Sequence, residues 1–238
     1  MIVQGDLDDS SLIEKEACNA DLVFHLASTR HEVSSRAIAT GLAQQKRQRP
    51  GYWVQISGAS MFSTDEIKAG KYGMKQGKVY DDVADQSEIL DVVKSNPARV
   101  VDNLVLEQDL SKIRTALIPG PLIYGKGRGP INTRSIQVPE QAKYALENGH
   151  TFVVGAGEAA WSNVHVSDVG ALMALLLEAA LDGKEGIWNQ DGIFFPENGI
   201  LVSSVGNCQQ LANLCSELRR NCQASLKCSS QSQFDQGF

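Results

Sequence analysis

The chain has 238 residues, with 22 Lys and Arg against 28 Asp and Glu, for a formal net charge of −6. A hydrophobic share of 42% and a charged share of 21% exclude a wholly disordered, collagen-like or coiled-coil protein, and the size suits one large domain or a domain with a small lobe. The acidic balance excludes a surface-wide field for polyphosphate, so no nucleic-acid partner is expected.

The amino end, Met1-Ile2-Val3, is a short β-branched opening that stops at Gln4-Gly5-Asp6, and Asp9-Ser10-Ser11-Leu12 reads as the cap and first turn of a helix. Leu22 to Ala27 is an apolar run without alternation, as expected of a parallel strand covered on both faces, and it ends at Ser28-Thr29. Val33 to Gln48 reads as a helix whose basic end, Lys46-Arg47-Gln48-Arg49, suits the negative end of its dipole and a solvated terminus. Tyr52 to Ile56 is the next strand, closing at Ser57-Gly58-Ala59-Ser60. Phe62 to Asp85 is polar, punctuated by glycine, and expected to be a long surface loop. A helix follows around Ala98 to Leu110, then a strand from Ile113 to Ile118 broken by Pro119-Gly120-Pro121. Strands alternating with helices at this spacing indicate an α/β fold with a parallel sheet.

Beyond Pro121 the texture changes to a loop at Gly125-Lys126-Gly127-Arg128-Gly129-Pro130, a helix from about Pro139 to Glu147 and a short strand at Thr151 to Val154. Val169 to Leu181 is a strongly apolar helix expected to pack on the sheet. From Cys208 onward Leu211, Leu214, Cys215, Leu218 and Cys222 recur at helical spacing before a polar, fraying end. The expected domains are residues 1–120, a partial nucleotide-binding unit; 121–207, a substrate lobe with returning elements; and 208–238, a divergent tail. The longest apolar run, Ala171 to Leu177, is far short of the ~20 residues that cross a bilayer, so no membrane partner is expected. The acidic amino end lacks the basic flank of a secretory signal, and five cysteines, four of them after residue 200, do not form a disulfide framework; a cytoplasmic protein is the expectation.

Five segments, taken in order, carry a resemblance: Gly5-Asp6-Leu7-Asp8 with Ala20 to Ala27; Ile56-Ser57-Gly58; Pro121-Leu122-Ile123-Tyr124-Gly125; and Val164-His165-Val166-Ser167-Asp168-Val169. Over roughly residues 1 to 200 the chain resembles an extended, atypical short-chain dehydrogenase/reductase of the NAD(P)-dependent epimerase/dehydratase-like kind. The resemblance implies a Rossmann-like sheet with a smaller C-terminal substrate lobe, and NAD or NADP as cofactor. Asp6 and Leu7 would border the adenine; Leu26, Ala27 and Ser28 would run beneath the ribose and nicotinamide; Pro121 and Leu122 would flank the carboxamide. Ser57 would orient the substrate oxygen, with Ser60 as the alternative hydroxyl.

The same resemblance implies that the chain starts after the family's strand, Gly-rich turn and helix, whose amino end holds the pyrophosphate. An incomplete form of a longer enzyme is the expectation, its Leu22 strand left as an apolar edge unless Met1 to Val3 pairs with it. The Gly125 to Gly129 run has no strand before it and no helix immediately behind it, and reads as an ordinary loop. The family's proton donor is a Tyr with a Lys four residues on. Tyr52, Tyr72, Tyr80, Tyr124 and Tyr144 are followed at that spacing by Ile56, Gln76, Ala84, Arg128 and Asn148, so none qualifies. Where the pair is expected the chain reads Asn96-Pro97-Ala98-Arg99-Val100-Val101-Asp102.

His25, within an apolar strand, reads as a packed imidazole, and His165 as a structural hydrogen-bonding residue. The cysteines at 208, 215, 222 and 228 are too widely spaced for a zinc knuckle, and no metal is expected. Two classes of function remain: an NAD(P)-dependent oxidoreductase acting on a small carbonyl or sugar-like substrate, or a catalytically silent binding protein similar to the NmrA-like redox sensors. A non-functional fragment is the third reading.

Overall fold

The computed structural model describes residues 2–44, 49–75, 77–199 and 202–203. Helix α1 (Ser10–Asn19) starts where the Asp9 carboxylate accepts the Leu12 N–H. It leads into strand β1 (Leu22–His25) and helix α2 (Glu32–Ala43), whose first turn is capped by the His31 ring accepting the Ser34 N–H. Strand β2 (Gly51–Gly58) follows, then a 3₁₀ turn (Ala59–Ser63) and the short helix α3 (Thr64–Lys68). Helices α4 (Gln86–Lys94) and α5 (Val100–Leu106) precede strand β3 (Ile113–Gly120).

β1, β2 and β3 form a parallel sheet in that order. β2 and β3 pair over eight residues, from Gly51 opposite Ile113 to Gly58 opposite Gly120. Both are buried along nearly their whole length, and alternate residues serve opposite faces. Trp53 and Leu117 face a cluster with Ile38 and Leu42 of α2, Ile89 and Val93 of α4, and Val101 and Val105 of α5. Tyr52, Val54, Ala116 and Ile118 face the other way, onto Leu176 and Trp188. Helices on both faces thus explain the apolar strands that lack alternation.

The second half begins with strand β4 (Leu122–Tyr124) and helix α6 (Gln137–Asn148). Strands β5 (Ala160–Trp161) and β6 (Asn163–His165) follow, and β6 pairs in parallel with β4. Helix α7 (Val166–Leu181) returns to the first sheet through Leu172, Met173 and Leu176. A 3₁₀ turn (Asn189–Asp191) then brings Ile193 alongside Leu117, where the Leu117 N–H donates to Gly192 O at 2.7 Å and the Phe194 N–H to Leu117 O at 3.0 Å. Strand β7 (Val202–Ser203) pairs antiparallel with β5.

Three sequence expectations need correction. The opening residues Ile2 and Val3 form no strand, having no neighbouring backbone to pair with, and Ile2 is fully exposed. Instead the Asp6 carboxylate accepts the N–H groups of Asp8 (2.9 Å) and Asp9 (3.1 Å) and closes a turn. Among the described residues β1 is therefore an edge strand, with Phe24 36% exposed. Thr151 to Val154 is irregular: Phe152, Val153 and Val154 are exposed, and the chain just beyond them is strapped to Gly73 by Glu158 N–H···O (2.7 Å). The stretch from Phe62 to Asp85 includes helix α3 and the end of the 3₁₀ turn, and is not one continuous loop. The basic end at 45–48 and the tail from 204 lie outside the described residues.

Gly41 marks where α1 and α2 touch: a Cβ there would lie 2.3 Å from Glu14 O and 2.8 Å from Ala17 Cβ. Gly41→Ala is expected to push the helices apart and cost about 1–3 kcal/mol in urea denaturation. Gly170→Ala, in open space within α7, is expected to raise stability by about 0.5–1 kcal/mol in the same measurement.

Candidate functional site

Parallel strands leave their carboxyl ends as a row from which loops diverge, and most of the sequence candidates lie along that row. Leu26, Ala27 and Ser28 follow β1, Ser57 ends β2 opposite Pro119 of β3, and Pro121 and Leu122 come immediately after β3. Asp6 and Leu7 lie on the flank of β1, lining an open trough of about 560 Å3 with Phe24 and His25. This stretch is tied to the strand-end row through Asp8, whose Oδ1 meets His31 Nε2 at the start of α2 at 3.2 Å.

The β1 end is held by a buried amide in the neighbouring strand. Gln55, fully buried in β2, donates from Nε2 to Ser28 O (2.9 Å) and Ile56 O (2.7 Å). With the amide fixed, its Oε1 accepts from His25 Nδ1 at 2.8 Å, leaving Nε2 to accept from Ser34 Oγ at 3.1 Å. Burial lowers the His25 pKa, Gln55 partly restoring it and the nearby His31 lowering it further, so the imidazole is neutral and matches these roles. His25 is thus a structural group that positions Ser28.

At the β2 end the chemistry is less satisfied. Ser57 Oγ is buried and closes no hydrogen bond of ordinary geometry among the described residues. It neighbours Asp102, 1% exposed in α5, whose carboxyl is pushed up by burial and drawn back by the Ser57 hydroxyl and the Arg99 guanidinium. Arg99 Nη1 lies 3.5 Å from Asp102 Oδ2, while Nη2 donates to Ser60 Oγ at 3.0 Å and Nη1 to Gly58 O at 3.4 Å. Arg99 thus ties the Ser60 hydroxyl to the buried Asp102 carboxyl, which also neighbours Ser57. Sequence reading passed over Arg99 and Asp102, although a signal existed: Asp102 shares the apolar stripe of Val105 and Leu106, three and four residues on.

Pro121 borders two hollows. One, of about 90 Å3, lies under Phe62, Tyr80, Trp161 and Phe195. Tyr80 here faces Lys78 at 5.1 Å, but burial raises its phenol pKa, and Lys78 is held by Asp85 and Glu88. This pair is therefore no substitute for an activated Tyr–Lys acid. The other hollow, about 710 Å3, opens between β4, the 125–136 loop and the start of α6. Gly125, at φ +100°, lets the His165 ring lie against the backbone, since a Cβ would meet its Nε2 at 2.3 Å. His165 itself caps α7, accepting the Ser167 N–H at 3.2 Å.

Among the described residues no group of three or more His, Cys, Asp or Glu is placed to hold a metal. The cysteines at 208, 215, 222 and 228 lie outside them. No helix of the described residues is long and apolar enough to cross a membrane.

No family model matches the chain. It is 34% identical over 209 residues to Oxidase ucsJ from Acremonium sp., covering 83% of this chain and 60% of that protein. An epimerase from Methanothermobacter thermautotrophicus superposes with a TM-score of 0.57 at 13% identity, covering 92% of this chain and 63% of that one. UDP-glucuronic acid 4-epimerase from Bacillus cereus, solved with UDP-glucuronic acid and NAD, gives 0.56 at 15% identity, covering 90% of this chain and 65% of that one. The chain spans about three fifths of the length of its curated relative. With parallel strands that alternate with helices, this chain carries the fold of the NAD-dependent epimerases and dehydratases of the extended short-chain dehydrogenase/reductase type, and Oxidase ucsJ is a sequence relative.

Proposed function

We propose that the chain is an NAD(P)-binding oxidoreductase of the epimerase/dehydratase-like kind, acting on a small carbonyl or sugar-like substrate. The observation that carries the reading is the cluster of the buried Ser57 hydroxyl with Asp102 and Arg99 at the carboxyl end of a buried parallel strand. Neither the Ser57 hydroxyl nor the Asp102 carboxyl oxygens close a hydrogen bond of ordinary geometry among the described residues, and a buried polar cluster left so open at a strand end is where a ligand would complete the set. The relation to an oxidase and the NAD held by structural neighbours support the same reading.

The described residues fit part of a dinucleotide. Leu26, 52% exposed, with Ala27 and Ser28 offers a face for the ribose and nicotinamide; Pro121 and Leu122 would flank the carboxamide; Asp6 and Leu7 would border the adenine. No described segment combines a strand, a Gly-rich turn and a helix amino end for the pyrophosphate, so no role is assigned there. When bound, the nicotinamide supplies a hydride acceptor or donor. Ser57 orients the substrate oxygen and relays a proton between it and Asp102, toward the oxygen in reduction and away from it in oxidation, while Arg99 partly offsets the raised Asp102 pKa and fixes Ser60.

Titration with NADH and NADPH, followed by nicotinamide emission, is expected to give saturable enhancement; no change at millimolar cofactor would overturn the reading. With a panel of carbonyl compounds, bound NADH is expected to be oxidised, and Ser57→Ala to lower turnover by about a hundredfold while leaving cofactor affinity intact. Cofactor binding without turnover of any carbonyl would favour a silent, sensing protein, a reading supported by the missing Tyr–Lys pair.

The Arg99 and Asp102 pair also has a pH signature. Because burial raises the Asp102 pKa, the folded chain holds this proton more tightly than the unfolded chain. Its contribution to stability is present at low pH and declines as pH rises through the folded pKa. Arg99→Met removes the compensating charge and is expected to cost on the order of 3 kcal/mol at neutral pH. The cost should shrink as pH is lowered and Asp102 is neutralised, which urea denaturation at several pH values would measure.

A further inference from the structure

The cavity beside β4 speaks to the class of substrate. Its volume, about 710 Å3, suits a small organic molecule. Its apolar walls come from Leu122, Ile123, Tyr124, Ile136 and Val138, and Ile136 is 72% exposed while Ile123, Tyr124 and Val138 are also exposed. Clustered apolar exposure of this kind loses its solvation cost when an apolar ligand covers it.

The polar groups argue against an anion. A diphosphate needs positive partners or converging N–H donors. Arg134 is the one charged residue lining the cavity among those described, and its Nη2 is 2.9 Å from Glu140 Oε1. The Gly127 N–H, in the loop that could have wrapped a phosphate, is spent on Thr133 O at 3.0 Å. Lys126 and Arg128 belong to that loop but do not line the hollow. Asn163, at the far side, has its Oδ1 engaged by Asn198 Nδ2 at 2.6 Å.

We infer that this cavity binds a neutral, predominantly apolar carbonyl compound and not a nucleoside-diphosphate sugar. The inference rests on the oxidoreductase reading for its chemistry, and on the cavity alone for its specificity. Pro121 and Leu122 line the hollow and also border the strand-end row, so a ligand held here lies next to the proposed nicotinamide face.

The test uses the full chain and prodan, a neutral aromatic ketone whose emission shifts to the blue in apolar surroundings. Saturable binding with a blue shift is expected, together with no displacement by millimolar UDP-glucose. Ile136→Asp with Val138→Asp, both at exposed positions where a carboxylate leaves the core intact, is expected to weaken prodan binding roughly tenfold or more with unchanged circular dichroism. Absence of prodan binding, displacement by UDP-glucose, or equal affinity in the double variant would overturn the inference. NADH titration of the same sample separates the two readings. NADH bound without prodan overturns this inference alone, whereas prodan bound without NADH supports the cavity assignment and removes the cofactor reading.

Discussion

The pairing of β2 with β3 is the constraint on which the rest of the molecule depends. Eight residues of each strand are in register, and both strands are covered on both faces. A slip by one residue would send Trp53 to the side where Val54 packs and reverse every partner in both clusters. The register in turn sets Ser57 against Pro119, so that the loop leaving β3 begins beside the β2 hydroxyl. Leu117, in the same strand, exchanges hydrogen bonds with Gly192 and Phe194 and thereby anchors the returning segment after α7.

Two buried polar groups sit on this scaffold and differ in how fully they are satisfied. The Gln55 amide spends its carbonyl on His25 and its donors on Ser28 O and Ile56 O, and the network reaches Ser34 of α2. Such a closed network fixes geometry. Around Ser57 the network stays open, with neither the hydroxyl nor the Asp102 carboxyl closing a hydrogen bond of ordinary geometry among the described residues and Arg99 Nη1 3.5 Å from Asp102 Oδ2. The closed network holds the β1 end still, and the open one at the end of β2 is where the proposed chemistry would sit.

Much of the scaffold was legible in the sequence because strand burial leaves a local trace. The apolar runs at Leu22, Tyr52 and Ile113 needed no knowledge of their partners, and the β-to-α alternation implied parallel pairing. Ile2 and Val3 looked the same locally but had no strand to pair with, and Thr151 to Val154 failed for the same reason. Helix α4 went unread although Ile89 and Val93 are spaced four apart, because its polar flanks resemble the loop before it. The site was legible only in part. Ser57 and Pro121 stand at strand ends that the sequence marks with Gly and Pro, whereas the link from Arg99 to Ser60 spans 39 residues and depends on how α5 packs. The apolar cavity likewise comes from β4, a loop and α6 meeting in space.

The central claim is that a dinucleotide lies along the carboxyl ends of β1, β2 and β3. Hydrogen–deuterium exchange with and without saturating NADH tests it most directly. Slowed exchange centred on residues 6–7, 26–28, 57–60 and 121–125 is the result this fold predicts. Unchanged exchange there, or protection centred on α6 or the amino ends of the strands, would contradict it.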